Sequence, residues 1–527
     1  MPSSTIDKKR TVVLINYLDE ARRYVERYGT KGNIQCHVVI ALSPRAREFL
    51  EGHGIACVDS LSYFDNEAHI RASLKSKEML SRLRDRIGFD KLSGMEAAFV
   101  NVLFWNLKSI LNHCLWASEV LHNALQRHHP QALIVFRNKL KEWHNPLVAQ
   151  RNSYVHKVAA SMQKGRIVSL EILPVHDAVG ARERRWIRLR KLLWRMAGFL
   201  FGHFHLLLLR RDSADKPVLV TTTAYRMNFL SKSILEQTGG VRPFLLTFSL
   251  RHWRLLMPSF WRSAGLFGGG ASLDLVEGIA SENGEGRRRL HRSIMELAGV
   301  SEREKEVFSY HGAFIGSILA GKLYGSLGSH ILGLHRKAAA LERILMSLKP
   351  RAIFSAGDRE DDAITGAVSL KLGIPSMIVS HGSHTPPKDQ VERIEWGEHR
   401  VQLIGAPYRF IAVQSPLAEE FLKTFPSVGK PVRTGPLMWG AAIDRQKRDY
   451  WRSKFFKNRS VKHVFMHVGS PKAFHVPRFH IYETSDECLA STADLVRAVR
   501  ELDNAGLVLR FRGSEEMGVS SAASLIR

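Results

Sequence analysis

The stretch Arg351 to Pro387, RAIFSAGDREDDAITGAVSLKLGIPSMIVSHGSHTPP, admits few folds. A short apolar run, Ala352 to Ala356, gives way to a Gly-Asp-Arg-Glu-Asp-Asp turn, after which small and apolar residues recur at helical spacing through Leu372. Gly373 stops that helix. Pro375 opens a second strand, and Met377 to Val379 continue it as the kind of apolar run found where helices cover both faces of a parallel sheet. The stretch predicts a βαβ unit. Ligands in open α/β sheets bind beyond the carboxyl ends of the strands, so two clusters are delivered to one edge: Asp358, Glu360, Asp361 and Asp362 after the first strand, and Ser380, His381, Gly382, Ser383 and His384 after the second.

A chain of 527 residues, 45% of them hydrophobic, can bury large cores and is expected to form two or three domains. Its formal charge of +27, from 77 Lys plus Arg against 50 Asp plus Glu, favours anionic partners: phosphates, nucleotides, acidic lipid or nucleic acid. Composition does not choose among them. Cys36, Cys57, Cys114 and Cys488 lack a CxxC spacing, which suggests neither a zinc site nor a disulfide framework and fits a reducing cytoplasm. The first residues, MPSSTIDKKR, are polar and run straight into a strand, so no signal peptide is expected there.

Alternation of β and α patterns begins at Thr11 to Ile15 and repeats at Cys36 to Leu42, Ala56 to Val58, Ala132 to Phe136 and Arg166 to Leu170, which predicts a parallel sheet. The helical region between Asp65 and Arg127 carries Phe99, Leu103, Trp105 and Leu107 at core-facing spacing, and no GxGxxG follows the first strand. Strands at Val218 to Thr223 and Phe244 to Phe248 either extend the first sheet or form an inserted lobe, GLFGGG before Ala271 reads as a loop, and 287–348 reads as mainly helical. The segment Ala181 to Arg211 has basic flanks around an apolar centre. Arg195, His203 and His205 interrupt it, so it reads as an interfacial amphipathic helix or as a buried helix with a solvated basic shoulder, not as a membrane span.

After the central unit, Phe410 to Gln414 predicts a strand and Ser415-Pro416 a helix start, with Glu419 and Glu420 in the first turn. Val432 to Pro436 predicts a short strand running into a Thr-Gly-Pro turn, and Tyr450 to Arg459 a basic hinge. The strand Val461 to His467, a Gly469-Ser470-Pro471-Lys472 loop, a helix from about Cys488 to Leu502 and the strand Leu507 to Arg512 follow.

The strand ending in Ser-His-Gly, the Thr-Gly-Pro turn and the Gly-Ser-Pro-Lys loop after a hinge make residues 349–512 resemble bacterial surface-polysaccharide glycosyltransferases of the GT-B fold, with polysialyltransferase-like and glycerophosphotransferase-like relatives. The resemblance implies an α/β protein of two Rossmann-like domains with the second truncated: an acceptor domain over 1–445, with helical insertions and the basic segment near 181–211, and a partial donor domain over 446–527. It implies transfer of a sugar from a nucleotide-activated donor to a glycan or lipid-linked acceptor. The expected protein needs no cofactor and no metal, since no DxD lies at a strand end. It has no nucleic-acid partner and works in the cytoplasm, peripheral to the plasma membrane where the basic segment touches anionic lipid.

By the same resemblance, Asp358 or Glu360 takes the acceptor proton, and His381 stabilises the departing phosphate or holds the acceptor. Gly382 and Ser383 let backbone amides approach, Gly435 and Pro436 form the second turn, and Gly469, Ser470 and Lys472 suit phosphate binding. Arg510 and Arg512 put two charges on one face of a strand. Each has a plainer reading: acids at a helix start are favourable without catalysis, and exposed basic groups are ordinarily solvated. A second Rossmann domain takes on the order of 130 residues, whereas the sequence stops at Arg527, so it reads as a fragment of a longer frame or as a protein without donor binding. A nucleotide-sugar epimerase-like enzyme and a non-catalytic membrane-associated scaffold stay open as alternatives.

Overall fold

The computed structural model describes residues 11–29, 36–89, 92, 94–138, 154–163, 169–175, 185–186, 189, 192–193, 196, 218–222, 241–247, 270–272, 284–300, 304–355, 360–379, 384–436, 444–456, 461–469 and 485–511. Two parallel sheets, each flanked by helices, give it a two-lobed Rossmann-like architecture.

The first sheet is built from β1 (Thr11–Ile15), β2 (His37–Ala41), β3 (Cys57–Asp59), β4 (Ala132–Arg137) and β5 (Ser169–Pro174), in the order β3-β2-β1-β4-β5. All four pairings are parallel. The connections are α1 (Leu18–Tyr28), α2 (Pro44–Gly52), the pair α3 (Asn66–Ile87) and α4 (Gly94–His128), and α5 (Val155–Gln163). Local chemistry sets their ends. Ser43 Oγ accepts the Ala46 amide with Pro44 at the first helical position, Asp65 accepts the Ala68 amide at 2.8 Å, and α3 stops at Gly88 in the left-handed region, φ 57°.

The second sheet holds β6 (Val218–Thr222), β7 (Arg242–Thr247) and β8 (Gly270–Ser272). Next come α6 (Gly284–Ala298), an antiparallel hairpin of β9 (Ser309–Tyr310) and β10 (Ala313–Phe314), α7 (Ile315–Lys322) and α8 (Gly328–Leu348). β11 (Ala352–Ser355), α9 (Glu360–Lys371), β12 (Ser376–Ile378), α10 (Gln390–His399), β13 (Phe410–Val413), α11 (Pro416–Thr424) and β14 (Lys430–Arg433) complete it, in the all-parallel order β14-β13-β12-β11-β6-β7-β8. The βαβ unit read from 351–387 is therefore real. The strands at 218 and 242, left open by the sequence, join it as a second lobe instead of extending the first sheet, with the helical stretch α6 to α8 as the crossover from one half to the other. Both sheets thus lie before residue 434.

One apolar core runs through both lobes, from Val12 and Leu14 of β1 through Phe104 and Leu111 of α4 to Phe244 of β7 and Ile353 of β11. The shared element is α4. Its 35 residues are apolar on nearly every side in the middle, so the helix is enclosed. Polar contacts join the lobes as well: Lys108 of α4 pairs with Glu395 of α10, Arg84 of α3 grips Glu398, and Trp105 Nε1 donates to His399 Nδ1 at 2.9 Å. Farther along α4 the buried Glu119 accepts Arg71 Nη2 at 3.1 Å, the Tyr310 hydroxyl and His311, tying the β9-β10 hairpin to α3. Burial would raise its pKa, but these hydrogen bonds outweigh it and hold the carboxyl at about 2.

Beyond β14 the chain forms α12 (Arg445–Phe456), β15 (His463–Gly469), α13 (Ser485–Arg500) and β16 (Ala505–Phe511). Among the described residues β15 and β16 pair only with each other, in parallel, and Val464, Phe465 and Met466 of β15 are exposed. α12 belongs with this pair, because Gly506 leaves room for the Phe456 ring where a Cβ would stand 2.3 Å from it.

Candidate active site

β6 and β11 are the neighbours at which the second sheet reverses its winding, and the ligand crevice of such a sheet opens at their carboxyl ends. α9 starts there. Of the acids expected at this edge, Asp358 lies outside the described residues, as does the side chain of Asp361. Asp362 is turned into the core, 3% exposed, where it accepts the Ser355 hydroxyl while its carbonyl accepts the Tyr408 hydroxyl at 2.6 Å.

Glu360, the first residue of α9, has a different setting. Its Oε1 accepts Asn106 Nδ2 at 2.6 Å, and its Oε2 lies 2.6 Å from His330 Nε2. The Glu360 side chain is 18% exposed and that of His330 27%, so the pair is shielded from bulk water yet reachable. His330 sits in the first turn of α8, directly after the π-helical turn Leu323–Leu327, whose Gly325 departs from helical angles at φ −102°, ψ −114°. Such turns concentrate at functional sites. Gly328 makes the close approach possible, since a Cβ there would stand 2.3 Å from the Leu323 carbonyl oxygen. Asn106 reaches across from α4 and is fixed by a second hydrogen bond to the Val102 carbonyl at 3.0 Å. When Nε2 donates to the carboxylate, Nδ1 of the neutral ring carries the lone pair and can take a proton.

Acid and imidazole therefore meet at this edge, but among the described residues the imidazole is His330. His381, Gly382 and Ser383 lie outside the described residues. His384 is buried against Trp396 and Phe421, ring centroids 5.6 and 5.2 Å away, as part of the core. Gly435 and Pro436 follow β14 at the same edge, Gly435 left-handed at φ 67°, three strands from β11 and so about 14 Å away at the usual strand spacing. Gly469 and the exposed Arg510 lie on the β15-β16 pair, which among the described residues joins neither large sheet, and Ser470, Lys472 and Arg512 lie outside the described residues. Nothing in the sequence pointed to His330 or Asn106. They meet Glu360 across 30 and 254 positions, and neither stands at a strand end.

The first sheet has its own reversal, between β1 and β4. Asn16, just past β1, is 2% exposed, and among the described residues both of its side-chain amide atoms lack a hydrogen-bond partner. Glu20, 1% exposed, accepts the Asn16 and Tyr17 amides on Oε2 at 2.6 and 3.2 Å, and its Oε1 has no partner among the described residues. Burial pushes this carboxyl up to about 8, against the lowering effect of the two backbone hydrogen bonds. A folded-state pKa above the ordinary 4.5 means that Glu20 contributes stability fully present below about pH 4.5 and lost as pH rises through about 8. Glu20→Gln should flatten the fall of the urea midpoint across that window. An unaltered slope would contradict the buried, protonated carboxyl.

Among the described residues no cluster of three or more His, Cys, Asp or Glu side chains is arranged to hold a metal ion. No protein-family model matches the chain, and no curated protein matches it in sequence. The likeness that stands is architectural: a two-lobed α/β protein of Rossmann type, compatible with the GT-B-like plan at the level of the fold.

Proposed function

We propose that this protein is a glycosyltransferase of cell-surface polysaccharide synthesis, passing a sugar from a nucleotide-activated donor to a glycan or lipid-linked acceptor. The observation that carries the reading is the Glu360–His330 pair, steadied by Asn106, at the winding reversal of the second sheet. Both Glu360 oxygens are already engaged, so the carboxylate is better suited to orient His330 than to act alone. Nδ1 of His330 takes the acceptor hydroxyl proton as that oxygen bonds to the anomeric carbon, while the bond from that carbon to the donor phosphate breaks and the nucleotide leaves with the electron pair. His381, Gly382 and Ser383 adjoin this edge in sequence and are assigned to the leaving phosphate, and Asp358, beside Glu360 in sequence, is the alternative base for the acceptor proton. Gly435 and Pro436 flank the donor, and Gly469, Ser470, Lys472, Arg510 and Arg512 supply further phosphate contacts. Calorimetric titration with UDP, CMP, CDP, GDP and AMP, followed by donor-turnover assays, tests the proposal; a chain that binds none of the five is not a nucleotide-sugar transferase.

The acceptor end of the reading draws on a second observation. The described residues of 185–196 are helical, and Trp186, Leu189, Leu192, Leu193 and Met196, all about half exposed, recur at the spacing of one helix face. In sequence, Arg184, Arg188, Lys191 and Arg195 form a second stripe at spacings of 4, 3 and 4. No described helix is long and apolar enough to cross a membrane. A face of this kind suits shallow insertion into anionic lipid. The double variant Leu189→Glu, Leu193→Glu is expected to lower binding to phosphatidylserine-containing vesicles at least about tenfold in a flotation assay, with wild-type binding itself weakened by salt. Equal flotation of both proteins would remove the membrane contact.

A further inference from the structure

A cavity of about 720 Å³ lies between the start of α4, α6 and α8, within the range of about 300–1,000 Å³ typical of small-molecule sites. Its walls are apolar: Met95 and Phe99 from α4, Leu290 from α6, and Ala338, Ala339 and Met346 from α8. Its rim is not. Arg289, Arg292, Arg343 and Lys371 stand there against Glu96 and Glu342, four cations to two anions. Arg289 pairs with Glu285 and lies 3.9 Å from Glu96, and Lys371 Nζ lies 2.7 Å from Glu342. Arg292 forms no ion pair among the described residues. A guanidinium fork at the mouth of an apolar pocket is complementary to a carboxylate or phosphate carried on a hydrocarbon chain. Met346, 58% exposed at the mouth, continues the apolar path outward. The volume suits one chain rather than a two-chain lipid.

We propose that this cavity binds a single-chain anionic lipid, its tail along Met95, Phe99, Leu290 and Ala339 and its head group at Arg292 and Arg343. The site is separate from the transfer site and does not rest on that reading. Lys371 and Glu360 mark opposite ends of α9, about 16 Å apart at the helical rise, and the lining residue His335 stands five positions beyond His330 on α8, about 7.5 Å along its axis, so a Glu360 variant should bind lipid as the wild type does.

Titration of the full chain with dodecyl phosphate, dodecanoate and dodecanol, each below its aggregation threshold, tests the proposal. The wild type is expected to bind at least one of the two anions tenfold or more tightly than the alcohol, and the anion preferred identifies the head group. Ala339→Trp, which fills the cavity, should lose all three ligands. Arg292→Glu should weaken the anions at least tenfold and leave dodecanol unchanged. Met346→Glu, at an exposed position that tolerates substitution, should weaken the anions likewise and serves if the tryptophan variant does not fold. No binding by the wild type, equal affinity for alcohol and anions, or wild-type anion binding by Arg292→Glu and Met346→Glu together would overturn it.

Discussion

Glu360→Gln is expected to lower sugar transfer by roughly 10²- to 10⁴-fold, the range general acid–base assistance supplies, with little change in melting temperature. Glutamine keeps the shape of the side chain and still accepts the Asn106 amide, whose bond to Glu360 measures 2.6 Å, so the fold around α9 has no reason to move. It cannot hold the His330 ring as a carboxylate does, nor stabilise the imidazolium that forms when Nδ1 takes a proton. His330→Ala should cost as much. The double variant should be no worse than either single one, because residues that act as a unit lose their contribution once. A pair that merely braces α8 against α9 would behave differently: both variants would lower the melting temperature and leave turnover per folded molecule alone. That outcome, or losses that multiply in the double variant, would remove the catalytic assignment.

The alternation of apolar runs with helical spacing made the strands of both sheets legible one by one, though not their division into two sheets before residue 434, because parallel strands covered on two faces must be apolar throughout and their crossovers must be helices. β1, β2, β4, β11, β13 and the α9 unit all stand within a residue or two of their expected places. The partnership of the strands was not legible. β6 and β11 are adjacent although 130 residues of chain separate Thr222 from Ala352, and local patterning carries nothing about which of two sheets a strand joins. The site divided in the same way. Glu360 could be found because the carboxyl edge of a βαβ unit is a place the sequence defines, whereas His330 and Asn106 come to it by the packing of α8 and α4, two helices whose polar positions look like any others. His384 shows the converse: it has the sequence setting of a site residue, yet the aromatic contacts with Trp396 and Phe421 make it part of the core.

Lys108→Met is expected to destabilise the protein by about 3–5 kcal/mol, the cost of leaving one member of a buried ion pair without its partner. The lysine has three ammonium hydrogens, and its Nζ finds three acceptors: Glu395 Oε1 at 2.5 Å, Asn112 Oδ1 at 2.8 Å and Ser76 Oγ at 3.1 Å. Asn112 Nδ2 closes the ring by donating to Glu395 Oε2 at 2.9 Å. The two charged side chains are only 2% and 4% exposed, so water cannot replace a lost partner. With methionine in place, the Glu395 carboxylate would keep a single amide donor in a dry site. Replacing both residues, Lys108→Met with Glu395→Leu, should recover most of the loss, because apolar groups of similar volume leave no charge uncompensated. Urea unfolding of the four proteins measures the coupling directly. If the two single losses simply add, the ion pair is not what holds α10 against α4. The same variants carry a functional reading, since Asn106, two residues before Lys108 on α4, is the first lobe's contact with Glu360. A loosened seam between α4 and α10 should cost transfer activity in the single variant and restore it in the double one, in step with stability.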